Sequence, residues 1–202
     1  MEIENAQIQR RRILLQGIIQ GVGMRPFVYR EAKQNGLSGL VLNNSTGVKI
    51  EVEGIPQKIE DFIRSLQDSP PVLARIDEIV VEPIPPQGDK EFIIETSQQG
   101  EEQQVMISPD TATCSECLQE LFDPNDRRYH YPFINCTNCG PRFSIVQDAP
   151  YDRSKTTMAS FIMCSACAAE YSNPLDRRFH AQPIACLRCG PDIYLLNRKG
   201  EK

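Results

Sequence analysis

The sequence predicts an α+β protein in two parts: a two-layer unit of sheet and helices, then a small module built around metal. Three observations carry this reading. Strand-like and helix-like apolar patterns alternate through residues 10–97. A polar stretch without apolar period, 98–104, interrupts them. All eight cysteines lie beyond it, in four Cys-x-x-Cys pairs. The expected division is therefore 1–97 for the first domain, 98–108 for a linker and 109–202 for the metal module.

The first domain is read element by element. Residues 12–18 form a short strand. Residues 27–35 form a helix, with Phe27, Val28 and Ala32 at helical spacing and Gly36 to stop it. Residues 40–43 and 48–53 flank Asn44-Ser45-Thr46-Gly47 and alternate at Val48, Ile50 and Val52, which predicts a hairpin. Ile59, Phe62, Ile63 and Leu66 mark one face of a second helix, closed by Pro70-Pro71. Strands at 76–82 and 92–96 complete a βαββαβ order with a last strand added. That order predicts a split-βαβ, ferredoxin-like sandwich: an antiparallel sheet with two helices on one face.

Between the first strand and helix stands Gln20-Gly21-Val22-Gly23-Met24-Arg25-Pro26. Two glycines let the backbone curl so that N–H groups converge, and the helix N-terminus adds positive potential. Pro26 suits a first helical turn, and Arg25 at the lip of this cradle offers a planar fork matched to phosphate. The loop is neither a dinucleotide fingerprint nor a Walker loop, because Pro26 replaces the third glycine and no Gly-Lys-Ser/Thr follows.

The cysteines pair as Cys114/Cys117 with Cys136/Cys139, and Cys164/Cys167 with Cys186/Cys189. Aligning 114–142 with 164–192 gives 14 identities in 29 positions, including Pro124/Pro174, Asp126/Asp176, both Arg-Arg pairs and His130/His180. Each repeat thus carries four thiols, enough for a closed tetrahedral zinc shell with no open position, hence a structural metal. Ligation within each repeat is the preferred pairing, and crossed ligation is the alternative. A disulfide framework would suit a secreted chain, but the N-terminus MEIENAQIQRRR has no apolar core and no run is long enough to span a membrane. A reducing, cytoplasmic setting with free thiols is the expectation. Gly140 and Gly190 after each second pair are read as residues that permit positive φ. The histidines are read as structural, since four thiolates already fill each shell. The Arg-Arg pairs are read as partners for local acids and thiolate charge.

Charge narrows the function further. The chain carries a formal net charge of −5, all of it in residues 1–102, and residues 103–202 hold 11 basic and 11 acidic residues. That balance argues against a nucleic-acid reader built on a basic face. The run 193–196 is apolar and strand-like, and the polar turn after it gives no mark of a natural terminus; the chain reads as a fragment of something longer.

Gly21-Val22-Gly23-Met24-Arg25, with Gly39-Leu40-Val41-Leu42-Asn43-Asn44-Ser45-Thr46-Gly47, resembles the acylphosphatase signature over roughly residues 10–97. The resemblance implies that Gly21, Val22, Gly23, Met24 and Arg25 bind phosphate. It also implies that Arg25 clamps the phosphoryl group and that Asn43 holds the attacking water. Tyr131 to Phe143, YPFINCTNCGPRF, and Arg178 to Pro183, RFHAQP, are similar to the HypF family, the carbamoyltransferases of NiFe-hydrogenase maturation. This second resemblance implies carbamoyl phosphate as substrate and two structural zinc ions. It further implies a partner maturation protein with a C-terminal cysteine, and ATP with Mg²⁺ used only by domains beyond this chain. The competing expectation is a catalytically weak zinc scaffold that docks other domains or the maturation partner.

Overall fold

The computed structural model describes residues 8–97 and 106–202, so the polar stretch 98–104 lies outside the described residues. The elements run β1 (Gln9–Ile18), α1 (Met24–Gln34), β2 (Ser38–Asn43), β3 (Val48–Gly54), α2 (Pro56–Asp68), β4 (Arg75–Ile84) and β5 (Phe92–Ile94), then α3 (Ser115–Phe122) and α4 (Ser165–Ser172). The strands form one sheet in the order β4-β1-β3-β2-β5. Strands β1 to β4 pair antiparallel, as expected, but β5 pairs parallel to β2, so the sheet is mixed. That reversal follows from the crossover: after β4 the chain traverses the whole sheet before it can pair again, and it arrives in the direction of β2.

Alternation in β1 and β3 sends Ile13, Leu15, Val48, Ile50 and Val52 to the helix side, where each is buried. They meet Val28 and Ala32 of α1 and Ile59, Phe62 and Leu66 of α2, the spacing that marked each helix face. Pro56 opens α2 at its first turn. The helix α1 begins three residues earlier than its apolar spacing suggests, because Gly23 at φ 83° turns the chain directly into it.

The other face of the sheet carries a buried ion cluster. Arg10 is 1% exposed and donates to Glu53 at 3.0 Å, Glu51 at 2.9 Å and Asp89 at 2.5 Å. The backbone N–H groups of Gln87 and Gly88 donate to the Glu53 carboxylate at 2.6 and 2.8 Å, which folds the segment before β5 over this face. Burial alone would raise the Glu51 carboxyl, but Arg10, Lys49 and Arg12 outweigh it and hold it at about 2.

Beyond the sheet, each zinc repeat contributes one short helix, α3 or α4, and four short 3₁₀ segments lie between the two helices. The apolar run 193–196 forms no strand. Among the described residues nothing supplies it with ladder hydrogen bonds, and Ile193, Tyr194, Leu195 and Leu196 are all more than half exposed.

The Arg10 cluster makes a prediction. Arg10→Met strands two buried carboxylates and should lower unfolding free energy by about 3–5 kcal/mol at neutral pH. Because the folded Glu51 value is depressed, its stabilisation is present above the ordinary value of 4.5 and is lost as pH falls toward 2. Urea unfolding of both proteins should therefore show the gap narrowing across that window. A gap independent of pH would assign the loss to packing instead.

Candidate functional site

The eight thiols gather as two separate sets, Cys114, Cys117, Cys136, Cys139 and Cys164, Cys167, Cys186, Cys189, each with its sulfurs within 4.8 Å of one another. The thiols thus gather within each repeat, the grouping that ligation within each repeat requires. The Sγ···Sγ separations of Cys114–Cys136, Cys136–Cys139, Cys164–Cys186 and Cys186–Cys189 are 3.6, 3.8, 3.8 and 3.8 Å. A tetrahedron with metal–sulfur bonds of about 2.3 Å has edges of about 3.8 Å, so both sets suit a zinc ion. The helix ends make this geometry: Cys114 and Cys164 are the N-caps of α3 and α4, and the next cysteine sits one turn in. Gly140 adopts φ 71° as expected. Gly190 does not use positive φ. It is needed for space, since a Cβ there would lie 1.9 Å from the Tyr131 hydroxyl oxygen.

Each repeat sends its arginines to the other repeat's metal site. Arg127 donates to the Cys167 sulfur at 3.3 Å and to Glu170 at 2.5 Å, and Arg128 donates to Glu170 at 2.5 Å. In reciprocal fashion Arg177 donates to the Cys117 sulfur at 2.9 Å, and Arg177 and Arg178 both pair with Glu120. Backbone carbonyls receive the remaining edge: Arg128 Nε donates to Ala185 O at 2.9 Å, and Arg178 Nε to Asn135 O at 3.0 Å. The sequence reading of these pairs as answers to acid and thiolate charge holds, and the structure adds that the answer is exchanged between repeats.

The locked pair of repeats sits on the glycine loop of the first domain. Gly21 (φ 74°) and Gly23 (φ 83°) carry the turn, and a Cβ on Gly21 would lie 2.7 Å from Pro141 Cβ and 3.0 Å from the Tyr151 ring. Gln20 ties the parts together. Its Nε2 donates to Asn44 O and Gly47 O at 2.9 and 2.7 Å, and its Oε1 accepts from the Tyr151 N–H at 2.9 Å. Tyr29 of α1 meets Phe179 edge to face.

Arg25 lies under this roof and not at an open lip: it is 8% exposed, and its Nη2 donates to Asp152 Oδ1 at 2.8 Å. The burial comes from the zinc module, whose contribution no local pattern around Arg25 announces. With the Asn43 amide oxygen turned toward the guanidinium, it accepts from Arg25 Nε and Nη2 at 3.2 and 3.3 Å. Asn44 caps the hairpin turn, its Oδ1 accepting from Gly47 N at 2.8 Å, which leaves the Asn43 side chain for the site. Gly21, Gly23, Met24, Arg25 and Asn43 line one small cavity. Val22 is buried toward a neighbouring groove with Phe27 and Leu73, so only its backbone belongs to the loop.

The rest of the cavity wall is supplied by residues that sequence reasoning did not assign to it: Asn135, Thr137, Tyr151, His180 and Gln182. His180 and His130 share φ 55°, a backbone feature of the repeat, but only His180 reaches the cavity. Burial, helped by the Arg25 charge, pushes its imidazole down to about 4, so it is neutral at pH 7. For Asn135, Thr137 and Gln182 the available signal is asymmetry between the repeats, which place Ala185, Leu187 and Pro132 at the matching positions; Tyr151 lies between the repeats and His180 is shared with His130, so no such signal marks them.

A glycine cradle with a buried arginine beside a hairpin asparagine, on this sheet order, defines an acylphosphatase-type domain; residues 11–94 match the Acylphosphatase family model. The acylphosphatase of Caldivirga maquilingensis is 40% identical over 76 residues, 37% of this chain and 79% of that protein. Residues 113–146 and 163–196 each match the HypF finger model. The probable carbamoyltransferase HypF of Methanocaldococcus jannaschii is 50% identical over 146 residues, covering 70% of this chain and 19% of the relative. The crystal structure of full-length HypF in the phosphate- and nucleotide-bound form superposes with a TM-score of 0.90 at 54% identity, covering 95% of this chain and 25% of that one. The chain belongs to the HypF family. It spans about a fifth of the length of the curated relatives it matches. No helix among the described residues is long and apolar enough to cross a membrane.

Two measurements follow. Cys164→Ser with Cys167→Ser should leave one zinc per chain by elemental analysis, with the first site intact; loss of both would mean that the exchanged arginines make the pair one cooperative unit. Gly21→Ala should lower the melting temperature of the zinc-loaded protein, with a cost of about 1–3 kcal/mol from strain and overlap with Pro141 and Tyr151.

Proposed function

We propose that this chain hydrolyses carbamoyl phosphate to carbamate and phosphate, as the first step of a carbamoyl transfer that serves hydrogenase maturation. The observation that carries the reading is the meeting of Arg25 and Asn43 at the glycine loop, on the wall of one shared cavity.

The chemistry needs little more than placement. An acyl phosphate is already activated, so a positioned water and a stabilised phosphoryl group suffice. Asn43 holds the water. Its oxygen forms a bond to phosphorus as the bond from phosphorus to the carbamoyl oxygen breaks. The electron pair leaves with carbamate, and the water proton passes to a phosphate oxygen. Arg25 and the loop N–H groups at Gly21 to Met24 hold the equatorial oxygens as charge builds on them. Asp152 holds the Arg25 fork through Nη2, which fixes its plane before substrate arrives. The zinc ions, when bound, supply no chemistry here; their thiolates set the roof in position. In the longer relatives carbamate would next meet an ATP-using domain and then the C-terminal cysteine of the maturation partner, where it becomes the precursor of cyanide.

The alternative, a zinc scaffold without hydrolysis, draws on the same Asp152 contact, because a carboxylate on Arg25 competes with phosphate. Phosphate release from carbamoyl phosphate decides between them. The parent chain should release it, and Asn43→Ala should lose about a hundredfold or more in rate. A parent chain that releases none from carbamoyl or acetyl phosphate would leave the scaffold.

A further inference from the structure

We propose that Asn135, from the first zinc repeat, selects the acyl group: its Oδ1 accepts a hydrogen bond from the carbamoyl NH₂ of the substrate. The inference rests on the hydrolysis reading above and adds the residue that sets its substrate preference.

Asn135 is 3% exposed and lines the cavity with Gly21, Gly23, Arg25 and Asn43. Its Nδ2 points to Gly140 O at 3.5 Å, and its Oδ1 has no hydrogen-bond partner among the described residues. A buried acceptor left unpaired is costly, so one found in a cavity wall marks where a donor belongs. The other side-chain oxygens of the wall are engaged. Asn43 faces Arg25; Gln182 Oε1 accepts from the Arg153 N–H at 2.7 Å; the Tyr151 hydroxyl oxygen accepts from the Arg142 N–H at 3.2 Å; and the Thr137 hydroxyl donates to Arg177 O at 2.9 Å.

The duplication supplies an independent argument. Asn135 corresponds to Ala185 in the second repeat, 50 residues on. Both carbonyls do the same work, each accepting from the Nε of the opposite repeat's arginine at 3.0 and 2.9 Å. Alanine therefore satisfies every demand that the repeat makes at this position. The amide is surplus to the zinc fold, and of the two matching positions only Asn135 lines the cavity.

The ligand chemistry follows. The phosphoryl group takes the donors of Arg25 and the loop, which cannot distinguish one acyl phosphate from another. What separates carbamoyl phosphate from acetyl phosphate is NH₂ in place of CH₃, groups of nearly the same size. Shape discriminates poorly between them, whereas a buried acceptor that only the nitrogen can satisfy discriminates well.

The test compares phosphate release from carbamoyl phosphate and acetyl phosphate by the zinc-loaded chain and by Asn135→Ala, a residue the second repeat already tolerates. The expected result is a fall in kcat/KM of about tenfold or more for carbamoyl phosphate, with acetyl phosphate within about twofold of the parent. Equal losses on both esters, or no loss on carbamoyl phosphate, overturn the assignment. Two zinc ions per chain and an unchanged melting temperature verify the fold, and Asn135→Leu, which keeps the branched outline without the acceptor, should repeat the pattern if alanine loosens the roof. A parent chain inactive on both esters sinks the hydrolysis reading alone. The assignment is then read from thermal stabilisation by the two esters: a larger shift with carbamoyl phosphate, erased in Asn135→Ala, supports it, and equal shifts in the parent refute it.

Discussion

Four thiolates around one divalent ion leave about two negative charges, and a small module must neutralise them without a large core. This chain does so by exchange. Arg127 and Arg128 serve the second repeat's Cys167 and Glu170, while Arg177 and Arg178 serve Cys117 and Glu120 of the first. Neither repeat is electrostatically complete alone. The exchange fixes the two copies relative to each other, and that fixed pair presents Thr137, Pro141, Tyr151 and His180 to the glycine loop. The enclosure of the glycine loop thus traces back to the charge on the metal sites.

Much of this was legible in the sequence because periodicity and spacing are local. The apolar faces at Ile59, Phe62 and Leu66 and at Val48, Ile50 and Val52 are buried as their patterns require. The four-plus-four division of the cysteines is the one found. Gly21, Gly23, Arg25 and Asn43 do meet, though 18 residues separate Arg25 from Asn43, because β1 and β2 both flank β3 and deliver the loop and the turn to one end of the sheet.

What was hidden depends on contacts between distant segments. The parallel pairing of β5 is set by the route of the chain, not by its composition. The run 193–196 has the residues of a strand but no neighbouring edge. Arg25 reads as a surface residue until Asp152 arrives from 127 positions away. His180 reads as a structural copy of His130, and in its backbone it is, yet its side chain faces a different environment. An internal duplication hides function in this way: shared residues report what the fold needs, and the differences between copies report what the surroundings need.

Gln20 shows how closely the two parts are joined. One amide holds the carbonyls of the hairpin turn that follows Asn43 and, through its oxygen, the backbone of Tyr151 in the roof. Order in the roof and order in the turn are therefore shared through a single side chain. Thermodynamic linkage makes such sharing reciprocal. By that linkage, metal that stiffened the roof would raise the affinity of the cradle for an anion, and an anion bound there would tighten metal binding by the same free energy. A zinc site that takes no part in the chemistry would in this sense act on it from a distance.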